Sequence, residues 1–398
     1  MISNPKPSQH LLPFSLKRKL SALAVQYLRK SPISSLFKAL GVFVCNSYVP
    51  LTAANAEKMV RKGRDNIKVN SVLEVNHFYT KPARCVDQQE LQSISPIKVE
   101  AEIVLLDIRN KNFSLRNNHL LDDGMNVIDE HSIQFNKLPI RKKVLSKAVS
   151  LEGRVAYLSN TDPSNYYHWM CRTLPLLRIY DEWHGLDAID FFYVGQSPFC
   201  DFHRESLIRA GVPLERVIQR ACTADRIIAA IINRSRHYGS APIIEKSYIF
   251  SRNLFQEELK SNYGKERIYV ARGNVQRRRL MNETEVISLL KEYGFKVVSM
   301  DGKTLQEQVK IFSNSEAIVA PHGAALTNLL FIQPKTKVIE LFPYGFVNSC
   351  YYVLSNYGKA DYSYLQGEEI IQTHTDPHHF DLYIDIHKLK QLCKQIFS

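Results

Sequence analysis

The sequence predicts an α/β protein of two lobes with a cleft between them. Its 398 residues exceed the usual size of one domain. Strand and helix patterns alternate without hairpins in the last third of the chain, and a similar alternation begins near residue 154. Short alternating units force parallel strands joined by right-handed helical crossovers. We therefore expect doubly wound sheets.

The last third has the clearest pattern, because short apolar runs alternate with amphipathic stretches. The predicted strands are Ile268–Val270, Lys296–Ser299, Ala317–Ala320 and Lys337–Leu341. The predicted helices are Glu283–Tyr293, which ends at Gly294, and Leu305–Phe312.

The preceding part predicts the first lobe. Its strands are expected at Ile103–Leu106, Val155–Leu158, Phe191–Val194 and Ile227–Ile232, and its helices at Tyr166–Trp183 and Phe202–Ala210. Turns are expected at Asn117, Asn118, Asp122, Asp123 and Gly124. We divide the chain into a basic N-terminal segment (1–70), an N-terminal lobe (71–240), a C-terminal lobe (241–345) and a tail (346–398) that packs back on the lobes.

Positive charge is concentrated at the N-terminus. The chain carries a net charge of +13, and residues 1–70 hold 12 Lys and Arg against Glu57 and Asp65. Leu16, Leu20 and Leu23 recur there at helical spacing beside basic residues. This basic amphipathic stretch fits a helix packed on its own domain, a contact with an anionic membrane surface, or a transit segment. No apolar run approaches the ~20 residues of a membrane span, so we expect a cytoplasmic protein, peripheral to the inner face of a membrane if this segment binds lipid.

The seven cysteines occur singly, without a CxxC pair. This spacing argues against a zinc ribbon or a disulfide framework and favours separate reduced thiols. The basic balance also admits nucleic acid as a partner, but no helix-turn-helix, RNA-binding sheet or zinc-finger pattern accompanies it. We expect no nucleic-acid binding.

Two strand ends in the C-terminal lobe predict a phosphate site. The strand Ala317–Ala320 runs into Pro321, His322, Gly323 and Ala324, where small residues let backbone N–H groups approach a phosphate. The strand Ile268–Val270 delivers Arg272 and a basic loop to the same sheet edge. Glu340 ends a third strand, where it either contacts ribose hydroxyls or is an ordinary edge carboxylate.

The N-terminal lobe offers a second group of polar side chains. Asn165 suits a helix cap, and His168 and Arg172 follow on one helical face. A His beside a cleft can accept a proton near neutral pH, although a His among aromatic residues is also common in cores.

Taken together, these motifs resemble glycosyltransferase family 61. The resemblance rests on Asn165-x-x-His168-Trp169, Leu174-Pro175, Arg272, Arg278, Asn282-Glu283, Gln308, His322-Gly323-Ala324-x-x-x-Asn328 and Ile339-Glu340-Leu341, across residues 150–345. It implies a GT-B architecture of two Rossmann-like doubly wound lobes. It also implies inverting transfer from a nucleotide sugar to a hydroxyl of a glycan or lipid-linked saccharide, with no cofactor and no obligatory metal.

The resemblance also assigns residues to roles. The donor contacts would be Arg272, Arg278, Asn282, His322, Gly323, Asn328 and Glu340, and His168 would face the acceptor cleft. The remaining expected substrate-binding residues are Asn165, Arg172, Glu283, Gln308 and Ala324. His168 is our prediction for the general base. Members of the family often carry a carboxylate four residues after this His, where this chain has Arg172.

A different function remains open from the tail. His374, Asp376, His378, His379, Asp381, Asp385 and His387 are metal-ligand types at close spacing. They match no closed metal motif, but they keep a metal-dependent hydrolase as the alternative.

Overall fold

The computed structural model describes most of the chain from residue 99 onward and parts of the segment before it. The described residues are 43–44, 48–50, 67–76, 99–109, 111–121, 127–129, 144–145, 147–159, 162–232, 244–260, 265–273, 275, 277–372, 376 and 379–398. The predicted N-terminal amphipathic stretch and the turn at residues 122–124 lie outside them. In the described residues, no helix is both long and apolar enough to cross a bilayer.

The first sheet is mixed and has ten strands. Its strands are β2 (Tyr48–Pro50), β3 (Ile67–Asn76), β4 (Val99–Ile108), β5 (Ser114–Arg116), β6 (His119–Leu121), β7 (Val127–Asp129), β9 (Val149–Tyr157), β10 (Phe191–Tyr193), β11 (Val217–Ile218) and β12 (Cys222–Ile232), while β1 (Phe43–Val44) and β8 (Val144–Leu145) pair separately.

In this sheet, β11-β10-β9-β12 are parallel, and so are β2 and β7. The sheet therefore departs from the doubly wound lobe that the sequence predicts, since β4 pairs with β12 and β3 with β4 in antiparallel fashion. One cause is local: Asn117 and Asn118 have φ of 46° and 73°, which closes a two-residue hairpin between β5 and β6.

The second sheet is parallel throughout. Its strands are β13 (Glu266–Ala271), β14 (Phe295–Ser299), β15 (Ser315–Pro321), β16 (Lys337–Phe342) and β17 (Asp361–Gln366), in the order β14-β13-β15-β16-β17. The four strands predicted in this region are confirmed. The α/β class is likewise confirmed, and this strand order is that of a doubly wound sheet with a topological switch point between β13 and β15.

The described helices include the four predicted segments and several that the sequence analysis did not predict. They are α1 (Tyr166–His168), α2 (Leu176–His184), α3 (Asp201–Arg209), α4 (Glu245–Asn253), α5 (Gln256–Lys260), α6 (Glu283–Glu292), α7 (Leu305–Ser313), α8 (Cys350–Tyr357) and α9 (Ile386–Phe397). The predicted helix Tyr166–Trp183 is interrupted by a π-helical turn, Trp169–Thr173, and by Pro175. A 3₁₀ helix, Ala324–Phe331, follows β15.

The tail is integral to the second sheet. Residues 346–398 supply α8, the edge strand β17 and α9, and Leu389, Leu392 and Ile396 of α9 lie in the same buried cluster as Leu289 of α6. A larger cluster joins apolar residues of both sheets into one core. The five described cysteines are free thiols, and Cys45 and Cys85 lie outside the described residues.

Candidate active site

The predicted phosphate site lies at the switch point of the parallel sheet. Arg272 directly follows β13, and His322 directly follows β15, which is the neighbour of β13. Ligands of open α/β sheets bind outside the carboxyl ends of strands at this point, because the connections leave in opposite directions and open a crevice.

His322 is held by a buried carboxylate. Its Nδ1 lies 2.5 Å from Oε1 of Glu340, whose Oε2 accepts a hydrogen bond of 2.6 Å from the Tyr362 hydroxyl. His322 is 5% exposed and Glu340 0%. Because the carboxylate accepts a hydrogen bond from Nδ1–H, Nε2 is the ring nitrogen left for a ligand. Burial lowers the pKa of His322; Glu340 opposes this shift, and Arg278 and Arg272 add to it.

Arg272 packs against the turn that carries His322. Its Nη1 donates a hydrogen bond to the His322 carbonyl oxygen, and a Cβ at Gly323 would lie 2.5 Å from that same nitrogen. Glycine therefore allows the guanidinium to lie against the turn. Burial, followed by the charge of Arg278, lowers the pKa of Arg272 to about 10, so the group stays charged at neutral pH.

Arg278 places a second guanidinium near Arg272 and His322. Its backbone is left-handed, with φ of 55°, and burial lowers the pKa of its guanidinium, an effect that Tyr351, Cys350 and Glu340 oppose. Within the described part of the chain, Nε of both Arg272 and Arg278 is buried without a hydrogen-bond partner. Two half-buried, mutually repelling cations without an ion-pair partner among the described residues form a site prepared for an anion.

The three consecutive arginines at residues 277–279 point in different directions. Arg277 is exposed and its Nη1 donates to Nε2 of His379 at 3.2 Å, while Arg279 pairs with Asp381 at 2.6 Å. Only Arg278 is directed towards the buried cluster around His322.

Asn282 and Glu283, expected to bind substrate, make contacts within the protein. Asn282 is at the N-cap position of α6 but makes no capping bond; it donates to the carbonyl of Ile384 at 2.8 Å and accepts from its N–H at 3.1 Å. Glu283 accepts a hydrogen bond of 2.7 Å from the Tyr269 hydroxyl. Local sequence pattern does not reveal these bonds, because Ile384 is 102 residues away in the sequence.

Asn328 and Gln308 form a second internal tie. Asn328 is 0% exposed; it accepts from the Tyr166 hydroxyl at 2.7 Å and donates to Gln308 Oε1 at 2.8 Å and to the Ala325 carbonyl at 3.1 Å. It thus joins α1 to the helix after β15. Ala324, by contrast, is exposed at the start of that helix.

Glu340 lies behind His322 and not at the open end of the crevice. Both of its carboxylate oxygens are engaged inside the protein, so the arrangement favours a role in orienting His322 over the predicted contact with ribose.

The site residues predicted in the N-terminal lobe gather at the start of α1. Asn165 accepts hydrogen bonds from the N–H groups of Tyr167 at 3.0 Å and His168 at 3.3 Å, which confirms the predicted cap. His168 is half-buried, and its Nδ1 lies 3.1 Å from Nη1 of Arg172. A guanidinium only donates, so Nδ1 accepts and the neutral ring carries its proton on Nε2.

Residues 166–339 match the family model described as Glycosyltransferase 61. This part of the chain is a glycosyltransferase 61 domain. The predicted resemblance is confirmed, and the matched residues include α1, the π-helical turn and both strand ends at the switch point.

Curated relatives carry related names. Protein O-linked-mannose beta-1,4-N-acetylglucosaminyltransferase 2 of Canis lupus familiaris is 28% identical over 265 residues, covering 58% of this chain and 45% of the relative. The Mus musculus protein of that name is 33% identical over 122 residues (29% and 21%). EGF domain-specific O-linked N-acetylglucosamine transferase of Gallus gallus is 35% identical over 95 residues (23% and 17%). This chain spans less than half the length of these relatives.

The glycosyltransferase 61 domain alone does not contain the whole site. Tyr362, which binds Glu340, and Tyr351, whose ring lies 5.2 Å from that of His322, follow the matched region. The sequence analysis missed both, although the aromatic run at residues 351–352 and the apolar alternation at 361–366 were the available signals.

The metal-binding alternative gains no support from geometry. No group of three or more His, Cys, Asp or Glu side chains is arranged to hold a metal ion among the residues that the structure describes. His374 and His378 lie outside them. Asp381 pairs with Arg279, and Asp385 caps α9.

Proposed function

We propose that this protein is an inverting glycosyltransferase that moves a sugar from a nucleotide-sugar donor to a hydroxyl of a glycan or polysaccharide acceptor. One observation carries the proposal: His322, Arg272 and Arg278 converge at the switch point of a parallel sheet, with two half-buried guanidiniums that form no ion pair among the described residues. The glycosyltransferase 61 domain supports the reaction class.

The diphosphate of the donor is the ligand that this charge arrangement fits. Guanidiniums bind phosphate oxygens through paired N–H donors, and they do so strongly where water is excluded. The imidazolium form of His322 donates a hydrogen bond from Nε2 to the diphosphate, while its Nδ1–H stays hydrogen-bonded to the Glu340 carboxylate. During transfer, the same donors stabilise the charge that develops on the leaving nucleoside diphosphate, without needing a metal.

His168 is proposed to face the acceptor in the other lobe. An inverting enzyme needs one base to remove the proton of the attacking hydroxyl. With Arg172 donating to Nδ1, the proton of neutral His168 lies on Nε2. His168 therefore acts as a base only after acceptor binding draws Arg172 away from Nδ1, which gives Arg172 a switching role in place of the carboxylate common in the family.

The printed names of the relatives suggest which donor to test first. Several are N-acetylglucosaminyltransferases or N-acetylglucosamine transferases, so we place a nucleoside diphosphate-N-acetylglucosamine first for this chain.

Binding of nucleoside diphosphates to the purified full chain tests the proposal. We expect saturable binding by isothermal titration calorimetry, and a loss on the order of tenfold or more in Arg272→Ala and His322→Ala. Arg267→Ala is the matched control, because Arg267 belongs to the same strand but pairs with Glu316 at the opposite end of the sheet. If no uridine, guanosine, cytidine or adenosine diphosphate binds the wild-type protein, the donor site is wrong.

A transfer assay then tests the chemistry. Products analysed by nuclear magnetic resonance should carry an anomeric configuration opposite to that of the donor, and a chelator should leave the rate unchanged. Retention, or loss of activity with the chelator and its return with a divalent cation, would contradict the proposed mechanism.

The basic N-terminal segment is proposed to bring the enzyme to an anionic membrane surface, where lipid-linked acceptors are found. Deleting the first 50 residues should abolish co-sedimentation with vesicles containing phosphatidylserine and leave nucleoside-diphosphate binding intact. Equal sedimentation of both proteins would refute this part.

A further inference from the structure

We propose that the C-terminal strap, residues 379–384, is a positioning element of the donor site, and that Asp381 is the positioning residue that holds Arg278 against the diphosphate. The inference rests on the proposed function, because it takes Arg278 as a donor contact. It assigns a role to part of the His- and Asp-rich segment for which the sequence predicted metal binding.

The strap runs beside the loop that carries Arg278. Leu382 forms an isolated parallel bridge with Leu280. The Leu382 N–H donates to the Arg279 carbonyl and the Met281 N–H donates to the Leu382 carbonyl, both at 2.8 Å. Asn282 closes the pairing through its two bonds with the backbone of Ile384. Every residue from 279 to 282 is thus in contact with the strap.

Asp381 makes the strongest of these contacts. Its Oδ1 accepts from the backbone N–H of Arg279 at 2.8 Å, and its Oδ2 accepts from Nη2 at 2.6 Å and Nε at 3.1 Å of the same residue. The Asp381 side chain is 7% exposed, and the Gln372 side chain bonds both its N–H and its carbonyl. One buried carboxylate therefore fixes the backbone and the side chain of the residue next to Arg278.

Arg278 needs such support because its backbone is in an unfavourable region. A φ of 55° brings Cβ close to the following carbonyl in any residue other than glycine, which is energetically unfavourable. The residue before it is tied as well: the Arg277 carbonyl accepts from Arg272 Nη2 at 3.5 Å, and its side chain contacts His379. Restraint on both sides keeps Arg278 left-handed, which turns its side chain inward while Arg277 and Arg279 point outward.

The surroundings of the Arg278 side chain are a second reason why the loop needs restraint. Its guanidinium is partly buried and is repelled by Arg272, so an unrestrained loop would relax towards solvent. The strap opposes this relaxation before any ligand is present. Pre-organisation of this kind raises affinity because the ordering cost is met during folding and not during binding.

Calorimetric titration of a nucleoside diphosphate that binds the wild-type chain tests the inference. We expect Asp381→Ala to weaken binding on the order of tenfold, since a displacement of about 1 Å has large effects on such contacts. Glu316→Ala is the matched control: it removes the carboxylate of an arginine pair in the same lobe, at the far end of the sheet, and should leave the dissociation constant unchanged. Asp381→Asn keeps an acceptor for the Arg279 N–H but loses the charge, so a smaller loss is expected.

A double-mutant cycle separates positioning from general destabilisation. In an Arg278→Ala background, Asp381→Ala should cause no further loss of affinity, because the residue that the strap positions is gone. The inference is overturned by unchanged affinity in both Asp381 variants, or by an undiminished effect of Asp381→Ala without Arg278. Failure of the wild-type chain to bind any nucleoside diphosphate would instead reject the proposed function, and this inference with it. If Asp381→Ala does not fold, Asp381→Asn in the same cycle decides.

Discussion

Replacing Glu340 by glutamine tests how the buried carboxylate sets the chemistry of His322. The substitution preserves shape but replaces one acceptor oxygen by an NH₂ donor. In the native protein both oxygens accept, one from His322 Nδ1 at 2.5 Å and the other from the Tyr362 hydroxyl at 2.6 Å. Glutamine can satisfy only one of these donors, and Glu340→Gln removes the charge that favours the imidazolium.

The size of the effect follows from burial. Glu340 is 0% exposed, so no water replaces the lost contact. A hydrogen bond involving a charged group contributes about 1.5–3 kcal/mol, and each 1.4 kcal/mol changes a binding constant about tenfold. We therefore expect nucleoside-diphosphate affinity to fall roughly ten- to a hundredfold. The pKa of His322, already lowered by burial, should fall further when the opposing influence of Glu340 is gone.

Calorimetry between pH 6 and pH 8, with a thermal melt of each variant, provides the measurement. Tyr362→Phe is the control, because it removes only the outer hydrogen bond and leaves the carboxylate on His322. Affinity for Glu340→Gln equal to that of the wild type, in a protein that melts normally, would show that Glu340 does not act through His322.

Five further predictions concern the remaining contacts. The charge of a bound diphosphate should raise the pKa of His322 from its lowered value in the free protein, so binding should take up a proton and affinity should fall as pH rises above the pKa of the free protein. His322→Ala should reduce this pH dependence of affinity, and an identical pH dependence in calorimetry would refute the prediction. Because burial lowers the pKa of His322, the folded protein should lose stability as pH falls below the ordinary histidine pKa of 6.5. Thermal melts in acid should show a smaller loss of stability for His322→Ala than for the wild type. Gly323→Ala should displace the flexible end of Arg272 and weaken nucleoside-diphosphate binding on the order of tenfold, with little change in a denaturant melt; a stable variant with native affinity would contradict the contact. Asn328→Ala should lower the free energy of unfolding by about 1–3 kcal/mol and leave donor affinity intact. His168→Ala should abolish transfer and also leave donor affinity intact. A donor-binding defect in either variant would assign that residue to the donor site.

The second sheet was largely predictable because its information is local. Each strand and helix between residues 266 and 342 carries its own periodicity, and a capping box at Thr304 and Glu307 begins α7. The strand β17 was missed because the alternation in its pattern DYSYLQ is short, and its assignment as a strand depends on its parallel pairing with β16. The first sheet was predicted less well, since antiparallel pairing between β3, β4 and β12 depends on long-range register that short windows do not contain.

The candidate site divides in the same way. The sequence alone placed Arg272 and His322 at the ends of two strands, since chain order and parallel topology are enough to bring such ends to one edge. Three successive arginines, at residues 277–279, follow the first of these strands. Which of them faces inward was decided by the tertiary structure, through a left-handed backbone at Arg278 and contacts with a strap about 100 residues later in the chain.

The sequence thus predicted which polar residues lie near the site, and the tertiary structure decided the role of each through its hydrogen-bond partners. Glu340, Asn282 and Asn328 were all expected to meet the donor, yet each is engaged inside the protein, because a buried polar atom must find a hydrogen-bond partner and the nearest one is set by packing. Local pattern cannot supply that information. Only the folded chain brings Tyr362, Ile384 and Tyr166 to these side chains, and so leaves His322 and two arginines as the groups that await a ligand.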